Sequence, residues 1–254
     1  MLYANGVKLL EYPELVLLDK DGTLIDIHHY WASMIHLRAE LIVEQWFGEK
    51  DSGEQIEHRL IDAMGVDLHS GRMKPDGPVG VKPRPHIVSV AVAEVRKSGV
   101  DVDDMRMEAL FSEVDRRTSA NLRPLLRLLP GVVDFLESLR THGVAVALVS
   151  TDITSRATAA MQSLGIDHYF TTILGGDAVL HTKPAPDLVQ AVLRSGSYSI
   201  LRTVVIGDHP VDILMGQNAG CASNVAVLTG LSEQDAFKEM ECVVVSDLTE
   251  VKVR

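Results

Sequence analysis

Two cysteines, Cys221 and Cys242, are all this chain contains, and neither has the spacing of a metal site. A disulfide framework is therefore not expected, and a reduced intracellular compartment fits. Basic residues are also in deficit. Twenty-four Lys and Arg against 35 Asp and Glu leave a net charge of −11, which argues against nucleic acid or an anionic membrane surface as the main partner. A local positive site for a small anion is still compatible with that balance. No apolar run reaches membrane-spanning length, and residues 1–14 carry no basic stretch followed by an apolar one. The expectation is a soluble, cytoplasmic protein without internal repeats or low-complexity tracts. What is present is ordinary globular composition, 46% hydrophobic and 23% charged over 254 residues, enough for one large domain or two moderate ones.

The most informative stretch is Leu15-Val16-Leu17-Leu18-Asp19-Lys20-Asp21-Gly22-Thr23. Four apolar residues bounded by a turn read as a strand buried on both faces, which puts Asp19 at its carboxyl end, where open α/β sheets bind ligands. Side chains alternate along an extended chain, so Asp19 and Asp21 point to one side as long as the chain stays extended through Lys20. Two carboxylates that close repel unless a cation, a proton or a phosphoryl group relieves them. By itself, Asp-x-Asp-Gly is also compatible with a calcium loop or an ordinary turn.

From Val144 onward strands and helices alternate. The pattern predicts strands at 144–149, 169–173, 203–206, 224–228 and 242–245, with helices at 155–164, 186–194, 211–219 and 232–239 between them. Leu129-Pro130-Gly131-Val132 and a helix over 133–141 precede this series. Such alternation predicts an α/β fold, a doubly wound parallel sheet that also includes the strand starting at Leu15. Between Asp26 and Arg123 the character changes to helical spacing, over 30–46, 55–64, 86–97 and 103–122. This reads as an inserted helical domain. Within it, 65–85 is dense in Gly and Pro and carries Arg72, Lys74, Lys82 and Arg84, so it is expected to be a non-helical loop, either a substrate-specificity loop or a solvated connector.

Four segments at predicted strand ends occur in a telling order: Asp19-Lys20-Asp21-Gly22-Thr23, Ser150-Thr151, Lys183-Pro184-Ala185-Pro186-Asp187, and Gly207-Asp208-His209-Pro210-Val211-Asp212. In that order they resemble the four motifs of the haloacid dehalogenase (HAD) superfamily. The helical insertion resembles the C1-type cap of its phosphoglycolate phosphatase-like members. The resemblance implies a HAD-like core over 1–25 and 124–254 with a cap over 26–123. It also implies a Mg²⁺-dependent phosphatase acting on a small phosphorylated metabolite, with neither nucleic acid nor membrane as partner, as a monomer or homodimer.

The resemblance assigns Asp19 as the nucleophile that forms an aspartyl-phosphate, and Asp21 as general acid and then base. Asp19, Asp208 and the backbone carbonyl of Asp21 are the implied Mg²⁺ ligands, hard oxygen donors of the kind that ion takes. Ser150, Thr151 and Lys183 are the implied phosphate-binding groups. Asp212 either orients the site through Lys183 or a metal-bound water, or is a first-turn helix acid favoured by the macrodipole. The family usually carries Ser or Thr where this chain has His209, a departure. His28, close in sequence to Asp19, and the basic loop residues Arg72 and Arg84 are candidates for substrate contact. A β-phosphoglucomutase-like mutase or a phosphonatase uses the same core. No lysine of the insertion identifies itself as a Schiff-base former, and Asp21 weakens a dehalogenase reading. A non-catalytic binding protein of this fold is disfavoured by the complete set Asp19, Asp21, Lys183 and Asp208.

Overall fold

The computed structural model describes residues 1–48, 52–79 and 82–254. In chain order the elements are β1 (Leu2–Ala4), β2 (Val7–Leu10), β3 (Leu15–Leu18), α1 (Ile27–Trp46), α2 (Ser52–Met64), α3 (Arg84–Lys97), α4 (Asp104–Ser119), α5 (Val132–Thr141), β4 (Ala145–Val149), α6 (Thr154–Leu164), β5 (Thr172–Leu174), α7 (Asp187–Gly196), β6 (Thr203–Gly207), α8 (Pro210–Ala219), β7 (Ser223–Val227), β8 (Val243–Val245) and β9 (Val251–Val253). These fall into two compact units, Met1–Asp26 with Leu126–Arg254, and Ile27–Leu125. Among the described residues no helix is long and apolar enough to cross a membrane.

The first unit is built on a six-stranded sheet of order β5-β4-β3-β6-β7-β8, parallel throughout. All four residues of β3 are buried, as expected of a strand with both faces covered. Leu15 and Leu17 pack with Ala147, Val149 and Val205 against Leu188, Val189 and Val192 of α7 and Met215 of α8. Burying each such side chain stabilises the fold by about 1.5–3 kcal/mol. The chain runs outward from β3 to β4 and β5, then returns to build β6, β7 and β8 on the other side. Strand order therefore reverses at β3, and the loops leaving β3, β4 and β6 open a crevice at their carboxyl ends.

A second, antiparallel sheet of order β2-β1-β9 belongs to the same unit. Sequence periodicity misses these strands because each has only three or four residues. The turn between β1 and β2 is Asn5-Gly6, with φ of 46° and 75°, the left-handed pair that a tight two-residue hairpin requires.

The second unit is helical. In it α1 packs on α2 and α4, and α3 on α2 and α4. Arg38 of α1 is buried over the ring of Phe111, 4.6 Å from its centroid, and bonds Asp115 at 3.3 Å. Arg84 bonds both Asp115 and Glu108.

Four expectations need correction. The predicted helix over 232–239 is only a 3-10 turn at Gln234–Phe237, since Phe237 alone is buried there and one anchor does not offset helix nucleation. The strand predicted over 169–173 is a 3-10 turn at Asp167–Tyr169 followed by β5. The α4 helix stops at Ser119 rather than Leu122, and a second turn, Arg123–Leu125, follows it. The basic loop ends sooner than expected, because Arg84 and Pro85 already form the first turn of α3, where proline's missing N–H is harmless. Gly80 and Val81 of that loop lie outside the described residues. Its remainder is anchored: Val66 bridges Met73, and Val66, Met73 and Val79 are buried.

Candidate active site

Two ion clusters form where β3, β4 and β6 end. The first gathers Asp19, Asp208 and Asp212, each offering a carboxylate oxygen within 4.8 Å of the others. Asp19 follows β3, and its N–H continues the ladder to the Ile206 carbonyl at 3.0 Å, so it sits level with the end of β6. Asp208 is the residue after β6. Asp212 lies in the first turn of α8, where its Oδ2 accepts the His209 N–H at 3.1 Å and closes a capping box. Lys183 reaches in from the loop before α7, with Nζ 2.5 Å from Asp19 Oδ1 and 2.7 Å from Asp212 Oδ1.

Glycines make room for this crowding. A Cβ on Gly22, at φ +87°, would meet Asp208 at 2.4 Å, and one on Gly230 would meet it at 1.7 Å. Thr229, beside Gly230 in the loop after β7, donates to the Gly22 carbonyl at 2.5 Å.

The electrostatics of the trio are lopsided. Burial raises the pKa of Asp19, with Asp212 adding to the effect and Lys183 opposing it. Asp208 is pushed well above its ordinary range by burial, then by Asp19 and Asp212. Burial also works against the charge on Lys183, but Asp19 and Asp212 outweigh it and keep the ammonium protonated. Three carboxylates share one bonded lysine, an arrangement that a further cation relieves. The donors are all oxygen, without His or Cys, which suits a hard ion such as Mg²⁺ and not zinc.

The second cluster holds Asp21. Lys20 Nζ lies 2.8 Å from Asp21 Oδ2 and 3.2 Å from Asp152 Oδ2, with the lysine side chain only 3% exposed. Burial raises the pKa of Asp21, against the pull of Lys20. Asp152 belongs to the loop after β4, and its N–H donates to the buried Ser150 Oγ at 3.1 Å. Thr151 beside it is exposed. Sequence order placed Asp19 and Asp21 together, and the fold gives each its own lysine.

A family model described as haloacid dehalogenase-like hydrolase matches residues 81–227, more than half of the chain. The chain belongs to this family. Its HAD-like relatives are named phosphatases. It is 34% identical over 119 residues to the probable phosphatase IndB of Dickeya dadantii, covering 46% of this chain and 51% of that protein. It is 25% identical to the pyrophosphatase PpaX of Halalkalibacterium halodurans, covering 83% and 81%. Identity to the phosphoglycolate phosphatase of Rhodobacter capsulatus is 29%, covering 81% and 80%. The matched region thus spans only about half the length of some curated relatives, the Dickeya protein among them. Among solved structures, a HAD-superfamily hydrolase of subfamily IA from Geobacter sulfurreducens superposes with a TM-score of 0.64 at 17% identity, covering 94% of each chain. At that identity the likeness is one of fold.

Of the remaining sequence-derived candidates, His28, Arg72 and Arg84 all lie in the helical unit. His28 is buried, its Nδ1 accepting the Met73 N–H at 3.2 Å and its Nε2 lying 2.7 Å from Arg72 Nη2. Arg84 is occupied by Glu108, Ser112 and Asp115, so its guanidinium serves helix packing rather than an open loop. His209 caps α8, its Nδ1 accepting the Val211 N–H at 3.3 Å. Sequence reading missed Lys20, Asp152, Thr229 and Gly230. A Thr-Gly pair just past an apolar strand was a usable signal for the last two.

Proposed function

We propose that this chain is a Mg²⁺-dependent phosphatase that hydrolyses a small phosphorylated metabolite through an aspartyl-phosphate on Asp19. The observation that carries the reading is the first ion cluster: a carboxylate at the central strand end, bonded to a buried lysine, with two further carboxylates within reach.

In this reading an Asp19 carboxylate oxygen attacks phosphorus, the bond from phosphorus to the leaving oxygen breaks, and Asp21 delivers a proton to that oxygen. Water then attacks the phosphorus of the aspartyl-phosphate and passes a proton to Asp21, releasing inorganic phosphate and restoring Asp19. Lys183 neutralises phosphoryl charge as a fixed point charge, and Ser150 with the Thr151 amide offers donors to its oxygens. Asp19 and Asp208, with the Asp21 carbonyl, would hold Mg²⁺, whose contribution is to offset negative charge on the transferring group. Asp212 orients Lys183. The helical unit, taken as a cap over 26–123 on a core of 1–25 and 124–254, sets substrate choice, and Arg72 with His28, 2.7 Å apart, is the pair assigned to a second anionic group.

The test is phosphate release from an aryl phosphate and from a panel of phosphorylated metabolites, for native protein and for Asp19→Asn. Native turnover that vanishes in Asp19→Asn, with the sheet still folded by circular dichroism, supports the proposal. Near-native activity in Asp19→Asn refutes it. Net conversion between isomeric sugar phosphates without phosphate release would replace hydrolysis by a mutase reaction on the same core.

A further inference from the structure

The two carboxylates that flank Lys20 in sequence do not share a counterion. Asp19 takes Lys183, whereas Asp21 takes Lys20, whose Nζ lies 3.0 Å from Oδ1 and 2.8 Å from Oδ2. The same ammonium is 3.2 Å from Asp152 on a different strand-end loop. An ammonium this deeply buried is tolerated only where carboxylates compensate the lost hydration, and here two of them fix its position.

Asp152 is fixed in turn. Its Oδ1 accepts the Ile153 N–H at 2.8 Å and faces Arg156 at 3.2 Å, while its own N–H bonds Ser150 Oγ. A bonded path therefore runs from Asp21 through Lys20 and Asp152 to Ser150, joining the loop after β3 to the loop after β4. The oxygens that converge within 4.8 Å are those of Asp19, Asp208 and Asp212, and Asp21 is not among them. Without its lysine, the Asp21 carboxylate would be free to turn toward a cation held by Asp19 and Asp208, as a further acidic ligand.

We infer that Lys20 is a positioning residue. Its ammonium, braced by Asp152, holds the Asp21 carboxylate apart from the Asp19, Asp208 and Asp212 cluster and fixes the place from which Asp21 exchanges its proton. The inference rests on the reading of Asp21 as general acid and base given above. A carboxylate displaced by an ångström loses about 10²-fold in rate, within the 10²–10⁴ that proton transfer contributes.

The leaving group provides the discriminating measurement. An alkyl alkoxide must be protonated as it departs, whereas nitrophenolate need not be, and kcat/KM reports only the steps through phosphoryl transfer to Asp19. Lys20→Met is expected to lower kcat/KM by roughly 10- to 100-fold for the best alkyl phosphate of the metabolite panel, and by less than about threefold for p-nitrophenyl phosphate. Lys20→Arg, which keeps the charge, should restore most of the alkyl activity. Asp152→Asn, which removes one of the two carboxylates bonded to Lys20, should show the same split at smaller size, and it decides the matter if Lys20→Met fails to fold.

Asp21→Asn is the control. If it shows the alkyl-over-aryl split while Lys20→Met and Asp152→Asn lower both substrates equally or neither, Lys20 is merely structural and the inference falls alone. If Asp21→Asn itself lowers both substrates equally, the reading of Asp21 falls, and the positioning role falls with it.

Discussion

Lys183 Nζ lies 2.5 Å from Asp19 Oδ1 although 164 positions separate the two residues. On the proposed mechanism this bond fixes the ammonium beside the attacking oxygen, where phosphoryl charge would develop. Lys183→Met is expected to lower kcat/KM for an aryl phosphate by at least roughly 10²-fold. It should also destabilise the metal-free protein by about 3–5 kcal/mol, because Asp19 and Asp212 lose a buried partner. Steady-state kinetics and urea denaturation read the two effects separately. A loss below about fivefold in rate would remove Lys183 from the phosphate-binding set.

The excess of carboxylates in the first cluster has a thermodynamic signature. An ion that binds the folded state alone stabilises it by about 2.7 kcal/mol at a hundredfold excess over its Kd. Mg²⁺ should therefore raise the unfolding midpoint, and Asp208→Asn should abolish most of that shift. Exhaustive chelation should stop phosphate release, and Ca²⁺ should inhibit because its larger, looser coordination disturbs in-line geometry. An equal Mg²⁺ shift in Asp208→Asn would place the ion elsewhere.

Cys221 packs against the core under α8, and burial pushes its thiol up to about 12. Only roughly 10⁻⁴ of it is thiolate at pH 8, so the native protein should react with iodoacetamide at Cys221 far more slowly than the urea-unfolded chain. Linkage gives a second readout. The group binds its proton more tightly when folded, so its contribution is intact below the unfolded value near 9 and is lost as pH rises from 9 toward 12. Comparison with Cys221→Ala over that window isolates the slope, and identical pH profiles would contradict the burial argument.

In the helical unit Asp115 bonds both Arg38 and Arg84, but the two arginines differ in exposure, with side chains 5% and 35% accessible. Asp115→Ala strands the buried Arg38 guanidinium and should cost about 3–5 kcal/mol. Arg84→Ala removes a partly solvated pair and should cost about 1 kcal/mol or less, leaving KM unchanged. Hydrogen exchange in α1 and α4 measures the first, and kinetics on the best substrate the second. A tenfold rise in KM for Arg84→Ala would return that residue to substrate binding.

The sheet was readable because its strands are continuous apolar runs, Leu15–Leu18 and Val204–Ile206 among them, and both are buried throughout. The antiparallel sheet was not read, although Asn5-Gly6 announces its hairpin, because three-residue strands give periodicity nothing to count. Around the site, residue types at strand ends pointed to Asp19 and Asp208, and the Lys-Pro segment ahead of a helix pointed to Lys183. The pairing of Lys20 with Asp21 and Asp152 was hidden for a physical reason. Alternation along an extended chain points Lys20 away from Asp21, but the backbone bends at Lys20, whose carbonyl accepts the Leu24 and Ile25 N–H groups, and its long side chain reaches the neighbouring carboxylate.

The stem at the base of the helical insertion bears on how the chain finds its fold. Ile25 bridges Leu128, Asp26 N–H donates to the Arg127 carbonyl at 2.8 Å, and Leu129 N–H donates to the Leu24 carbonyl at 2.9 Å, so the two connecting strands are zipped together. Yet β3, the centre of the parallel sheet, has only β4 and β6 as neighbours, both distant in sequence. Such pairings carry the loop-closure entropy of everything between them, and chains dominated by them fold slowly. If the insertion collapses into its own helices first, the zipped stem turns a long floppy loop into a short one. Each halving of effective loop length then saves about 0.6 kcal/mol of closure cost. The helical unit then acts as a folding accelerator for the sheet that carries Asp19, and replacing it with an unstructured linker of equal length should slow refolding of the core even where the core's equilibrium stability is kept.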